Sequence, residues 1–319
     1  SFSETTTASF SADMAIGAED GGSEAVQAYY GFQIDLNTSF TGEDSLDISI
    51  DAGNAGGAVT EFDLNGDAGT GNDVLNVDGV SYTFPVGDKT TVFVGDNTDG
   101  SALFSTACVY GGPSNTLDDC GNVNAGITNG GAMLGASYDF GTGFTAAVGY
   151  AGDETSVMTE EGGDAYGINA AYTGDNYGVS LTYGVIESYV GDDPTAALDD
   201  EEDTYTAINA YYTPEGFPSI SVGYEIGEDG SVTDKTADEL TSFFVGLQWD
   251  EVGPGSAGIA MGTKTPTVEK TDEQYMYEAY YSYPLNDGMT ITPLVFIRES
   301  STAGVDDETG VMVKTSFSF

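Results

Sequence analysis

Carboxylates dominate whatever chemistry this chain could perform. It carries 53 Asp and Glu against six Lys and Arg, no His, and a formal charge of −47 over 319 residues. Without histidine the commonest general base, the His-based triads and most zinc sites are missing. A carboxylate-pair hydrolase on a soluble β-sandwich needs only two acids, but among 53 a pair carries no information. The run Asp63-Leu-Asn65-Gly-Asp67, continued to Asp73, sets oxygen donors at alternate positions as a calcium loop does. It lacks the Gly and the closing Glu of such a loop. Calcium on Asp63, Asn65, Asp67 and Asp73 therefore stands beside a flexible acidic loop that could latch onto a neighbouring subunit. Asp199-Asp-Glu-Glu-Asp203 is a second candidate divalent site, or a solvated, self-repelling loop face. No cofactor is required. No basic patch can form, so nucleic acid is excluded. Cys108 and Cys120 are the two cysteines. They are expected to form a disulfide in an oxidising compartment, with two free thiols as the alternative.

The elements that carry these residues read as strands. Val26, Ala28, Tyr30, Phe32, Ile34 and Leu36 alternate with Gln27, Tyr29, Gly31, Gln33, Asp35 and Asn37. Leu46, Ile48, Ile50 and Ala52 alternate with Asp47, Ser49, Asp51 and Gly53. Near the end, Val311, Val313 and Phe317 share a face with Thr315 and the last residue, Phe319, while Met312, Lys314, Ser316 and Ser318 share the other. Period-2 patterns put one apolar and one polar wall on each strand. Many run to roughly ten residues, long for a soluble sandwich but suited to a tilted membrane-spanning strand. No run of about 18 apolar residues exists, so a transmembrane helix is not expected. The abrupt start at Ser1, with no signal peptide, suggests a mature or trimmed chain.

Connections alternate short and long. Seven are short: 41–44, 85–88, 141–143, 174–176, 214–218, 250–255 and 285–288. Eight are longer and acidic, near 18–24, 55–71, 96–130, 152–163, 190–202, 228–237, 265–271 and 299–305. The strands between them number about sixteen (14 or 18 if a hairpin is lost or split), with both termini on the short-turn side. The weakest are 72–84, where Asp78-Gly79 could be a bulge or turn, and the Gly/Ala-rich 256–264. Every short turn is flanked by an aromatic: Phe40, Phe84, Phe140 and Phe144, Tyr172 and Tyr177, Tyr212 and Phe217, Trp249, Tyr283; Phe319 falls at the same level. Such a belt belongs at a membrane–water boundary. The expected fold is all-β, a closed antiparallel transmembrane barrel over residues 1–319.

Residues 96–130 form the longest connection, and the third long one. It is expected to fold into the lumen as a constriction carrying Asp96, Asp99, Asp118 and Asp119, stiffened by the Cys108–Cys120 bridge. Solvated acids on an outer loop are the alternative. On the wall, Asp13, Asp35, Asp47 and Asp51 share the inward parity, as do Arg298 and Lys314 on the last two strands. These charges are expected to be unpaired or loosely paired and to favour cations, an effect that fades at high salt.

Ser39-Phe-Thr-Gly-Glu-Asp-Ser-Leu-Asp-Ile-Ser-Ile-Asp-Ala-Gly-Asn54, Tyr82-Thr-Phe-Pro-Val-Gly87 and Asp139-Phe-Gly-Thr-Gly-Phe-Thr-Ala-Ala-Val-Gly-Tyr150 resemble cyanobacterial outer-membrane porins, distant relatives of carbohydrate-selective porins. The acidic composition and the segment from Cys108 to Cys120 look most like marine picocyanobacterial members. The resemblance implies a homotrimer in outer-membrane lipid, with termini in the periplasm, passing small hydrophilic solutes or inorganic ions without catalysis. It also implies a parent protein whose N-terminal surface-layer-homology domain holds a peptidoglycan-linked polymer. The competing expectation is a structural barrel with calcium-binding acidic loops and little conductance.

Overall fold

A computed structural model describes residues 6–21, 24–54, 61–64, 73–127, 131–159, 162–188, 201–230, 238–302 and 304–318. The strands are β1 (Thr6–Asp20), β2 (Gln27–Thr38), β3 (Ser45–Gly53), β4 (Asn76–Val86), β5 (Thr90–Asp96), β6 (Ala132–Asp139), β7 (Phe144–Gly152) and β8 (Asp164–Thr173). They continue as β9 (Tyr177–Ser188), β10 (Glu201–Tyr212), β11 (Ser219–Glu228), β12 (Glu239–Val252), β13 (Gly255–Thr263), β14 (Thr267–Val268), β15 (Tyr275–Asn286), β16 (Met289–Arg298) and β17 (Glu308–Ser318). Each pairs antiparallel with its neighbour, and β1 pairs with both β2 and β17, so the sheet closes with no free edge. Sixteen strands make the barrel; the two-residue β14 pairs with Leu240 and Thr241 of β12 in the connection before β15. Among the described residues there is no α-helix.

The expected strand order and parity hold along the chain. β1 runs on to Asp20, which places Glu19 in a strand rather than in the first long loop. The expected turn at 250–255 tightens, because β12 reaches Val252 and pairs it with Gly255. Opposite β3, the register passes from Ser49↔Gly79 to Ile50↔Val77, so Asp78 is the extra residue of a bulge rather than a turn.

The barrel is polarised inside out. Along β11, Ser219, Ser221, Gly223, Glu225 and Gly227 are buried, while Ile220, Val222, Tyr224 and Ile226 are exposed. A soluble barrel buries its apolar face; this one exposes it all round, with Met14, Val94, Val148, Ile168, Leu181, Val245, Ile259 and Val295 all open. Aromatics gather where the turns are short. Tyr82 stacks on Phe84, Tyr138 meets Phe140 edge-on, Phe144 meets Tyr172, and Tyr172 meets Tyr177. Tyr177 in turn faces Tyr212 across the ladder. Phe319 lies outside the described residues.

Inside, the wall is cut back to make room. Gly149, Gly167, Gly184, Gly223, Gly246, Gly258 and Gly262 share the inward parity of their strands. A Cβ on Gly223 would stand 1.8 Å from the Cys120 carbonyl oxygen. Neither atom can yield freely, since that carbonyl accepts a hydrogen bond from Asn209 Nδ2 at 2.9 Å. Gly223→Ala should therefore push the connection off the wall, destabilising the barrel by about 1–3 kcal/mol as overpacking does. A lower urea midpoint in detergent micelles checks this; an unchanged midpoint contradicts the packing.

Candidate functional site in the barrel lumen

The connection from β5 to β6 enters the barrel and crosses the inner wall. Its extended stretch meets one strand after another. The Ser105 amide donates to Asn169 Oδ1 on β8, Ala107 to Ser180 Oγ on β9, Val109 to Ser221 Oγ on β11, and Gly111 to Gln248 Oε1 on β12. The Tyr110 hydroxyl donates to Glu278 on β15. On the return, the Asn124 and Ala125 amides donate to the Glu225 carboxylate. Leu117, Cys120, Ala125 and Ile127 are almost wholly buried. Thus the expected inward loop is present, and Cys108 and Cys120 are joined across its tip with Cα atoms 6.5 Å apart.

The acids of this loop divide. Asp96 ends β5 on the parity of Val92 and Val94, facing outward, so it does not belong to a constriction. Asp99 turns inward, accepts hydrogen bonds from the Ser101 amide and hydroxyl, and lines a polar recess of about 290 Å³ with Asp47, Ser49, Asp78 and Asn97. Asp118 and Asp119 sit at the disulfide-closed tip. Asp118 keeps contact with solvent, but the barrel around it limits solvation. That burial, with the charges of Asp119 and Asp63, pushes its carboxyl up to about 7. Burial also lifts Asp119 to about 6, against the opposing hydrogen bond from the Gly121 amide and helped by Glu225.

All six wall residues lie on the inward parity, yet none floats loosely. Asp35 accepts from Gln33 Nε2 and Ser49 Oγ, and Asp47 from Asn37 Nδ2 and Ser45 Oγ. Asp51 is buried. The expectation of unpaired cations fails most clearly at Arg298, whose guanidinium meets Glu19 at 3.0 Å, Glu61 at 2.9 Å and Glu308 at 2.9 Å. Lys314 donates to the Asp63 carbonyl at 2.6 Å, stands 4.0 Å from Asp13, and lies over the Phe62 ring.

These contacts reveal a second inward element, since residues 61–64 also enter the lumen. Phe62 pairs with Ser114 in an isolated bridge, the Asp63 amide donates to the Pro113 carbonyl, and the Asn115 amide to the Glu61 carbonyl. The signal was Phe62, a large apolar residue amid acids, beside two lumen cations in need of partners. Of the calcium candidates, Asn65 and Asp67 lie outside the described residues. Asp63 is tied to Lys314 and Pro113 through its backbone, while Asp73 accepts from the Tyr30 hydroxyl. A polar recess of about 370 Å³ stays open beside the loops, lined by Gln248, Tyr280, Ser282, Thr292, Lys314 and Ser316.

No family model matches the chain, and no curated protein matches it. Solved structures do. OprB of Pseudomonas putida superposes with a TM-score of 0.66 at 12% identity, covering 99% of this chain and 94% of that one. OmpT of Vibrio cholerae, an outer membrane protein solved without its loop L8, gives 0.65 at 11% identity, covering 99% and 100%. The anion-selective porin of Comamonas acidovorans gives 0.64 at 14% identity, covering 99% of each chain. The fold is that of the porin barrel.

Two outcomes are expected. Burial raises both Asp118 and Asp119, to about 7 and about 6, so both are largely neutral at pH 5 and charged at pH 8. If ions pass this tip, the cation-to-anion permeability ratio should rise with pH across that window, and Asp118→Asn with Asp119→Asn should flatten it; a rise that survives the double variant locates the titration elsewhere. Arg298→Ala leaves Glu19 and Glu61 buried without their cation, at a cost of about 3–5 kcal/mol. Residues 61–64 should then detach, which limited proteolysis of folded protein would detect as new cleavage near Phe62.

Proposed function

We propose that the chain is an outer-membrane channel for passive diffusion of small hydrophilic solutes and inorganic ions, with a preference for cations. The observation that carries this is the inside-out polarity of a closed barrel whose third long connection lies along an acidic inner wall. The exposed apolar face suits lipid, and the aromatic belt at the short turns suits the periplasmic boundary. Polar recesses beside the loop leave room for hydrated solutes. The likeness to porins supports the same reading. It does not set the sign of selectivity, because the Comamonas acidovorans neighbour is anion-selective. The sign comes from the lumen: Arg298 and Lys314 are consumed by Glu19, Glu61, Glu308, Asp13 and the Asp63 carbonyl, whereas Asp99, Asp118 and Asp119 line the loop. Family resemblance adds a homotrimer and, in the parent protein, a surface-layer-homology domain holding a peptidoglycan-linked polymer.

One observation favours a second reading. Two connections fold inward rather than one, which narrows the lumen and suits a structural barrel with calcium on its acidic loops. Planar bilayers separate the two. The channel reading expects stepwise conductance and a reversal potential favouring cations at low salt, weakening as the Debye length shrinks to a few ångströms. Absent conductance with calcium-dependent melting would establish the structural barrel instead, and anion preference would remove the charge argument alone.

A further inference from the structure

The outer face holds an apolar groove across β6 to β9. There the outward residues Ala136, Ala146 and Ala170 are small, and Tyr138, Val148 and Leu181 rise around them to enclose about 490 Å³. The lining is almost wholly apolar, and the tall residues are open to the surroundings. Thr90 closes the short-turn end, and the next residue back along the chain is Lys89.

Lys89 is set apart from the other cations. Among the described residues, Lys264, Lys270, Arg298 and Lys314 each have a carboxylate within 4.0 Å. Lys89 has none there; it lies exposed at the aromatic belt, its ammonium 3.1 Å from the Phe140 carbonyl and 5.9 Å from the Tyr138 ring centroid. An ammonium has three donors, so two remain. Asp139, opposite in the ladder, accepts from the Gly141 amide and has no oxygen within 4.0 Å of that ammonium. An apolar slot of about 490 Å³ thus ends next to a cation with no carboxylate within 4.0 Å among the described residues, at the height where headgroups lie. In a chain of charge −47, that is where an anion can approach.

We infer that this groove is a binding site for an anionic phospholipid of the leaflet on the short-turn side. One acyl chain fills the slot over Ala146 and Ala170, and the phosphate pairs with Lys89. The site rests on the outward face lying in lipid, and it is independent of whether the lumen conducts.

Native mass spectrometry of the full chain tests it, with phosphatidylglycerol and phosphatidylcholine of identical acyl chains supplied in equal amounts. The wild type should retain one phosphatidylglycerol per chain in preference to phosphatidylcholine. Lys89→Gln should cut that preference about fivefold, the scale of one lysine against an anionic surface. Ala170→Phe should fill the slot and lower retention of both lipids, while heat-modifiable migration on gels shows the barrel intact. Equal retention of the two lipids by wild type, or a preference untouched by Lys89→Gln, overturns the site. So does crosslinking of Ala146→Cys to a second copy in the assembled protein, because a protomer would then occupy the groove. Conductance of Lys89→Gln should match wild type, so failure of the lipid site and failure of the channel reading give separate signatures.

Discussion

The loop inside this barrel depends on finding partners for its own backbone. A connection lifted off the surface and laid against a wall loses water from its amides. Each buried amide left without an acceptor costs about 1–3 kcal/mol. Here the wall supplies the acceptors. Asn169, Ser180, Ser221 and Gln248 present one oxygen each, on strands met in turn, and the loop offers an amide at every second residue from Ser105 to Gly111. The spacing is that of an extended chain, whose alternate amides point the same way. The inward glycines follow from the same constraint, since an amide reaches a serine hydroxyl only if neighbouring side chains stand clear. Polarity and small size on the inner wall are therefore one requirement.

That requirement is partly legible in sequence. Parity alone puts Asp13, Asp35, Asp47, Asp51, Arg298 and Lys314 on one wall, because a closed antiparallel ladder carries the inward face from strand to strand without ambiguity. The same rule applied to Asp96 excludes it from that wall: it follows Val92 and Val94 by two-residue steps, and β5 runs one residue past the expected start of the loop. The course of the loop was not legible. Its partners lie 64 to 168 residues away in the chain, and no local pattern ties Ser105 to Asn169 or Tyr110 to Glu278. Phe62 marks residues 61–64 as unusual among acids, but nothing local names their partner. Their attachment at Arg298 spans 237 residues.

Charge is arranged by the same economy of partners. A lumen with many acids and few bases could leave its bases free to oppose the acids across an opening. In this barrel the bases are held by structure. Arg298 binds three carboxylates and so joins β1, β16, β17 and the second inward segment at one point. Lys314 binds a backbone carbonyl of that segment. Anchoring loops thus ties much of the positive charge to local partners, and the acids of the third long connection are left in excess. An excess of negative field in the proposed channel is then a consequence of how the loops are fastened.

The disulfide fits this scheme as a local clamp. Cys108 stands between Ala107 and Val109, whose amides are fixed to Ser180 and Ser221. The carbonyl of Cys120 is fixed to Asn209 on β10, the strand between those two. The bridge therefore joins two points of the loop already held by adjacent strands of one wall. Residues 109 to 119 become a short closed excursion whose base cannot shift, and Asp118 and Asp119 lie at its end beside Cys120. Such a closed excursion loses little further entropy when its acids are crowded, whereas an open loop would swing them apart to relieve repulsion and burial. The raised affinity of these two carboxyls for protons is what a clamped loop costs, and it brings the charge of the tip within reach of changes near neutral pH.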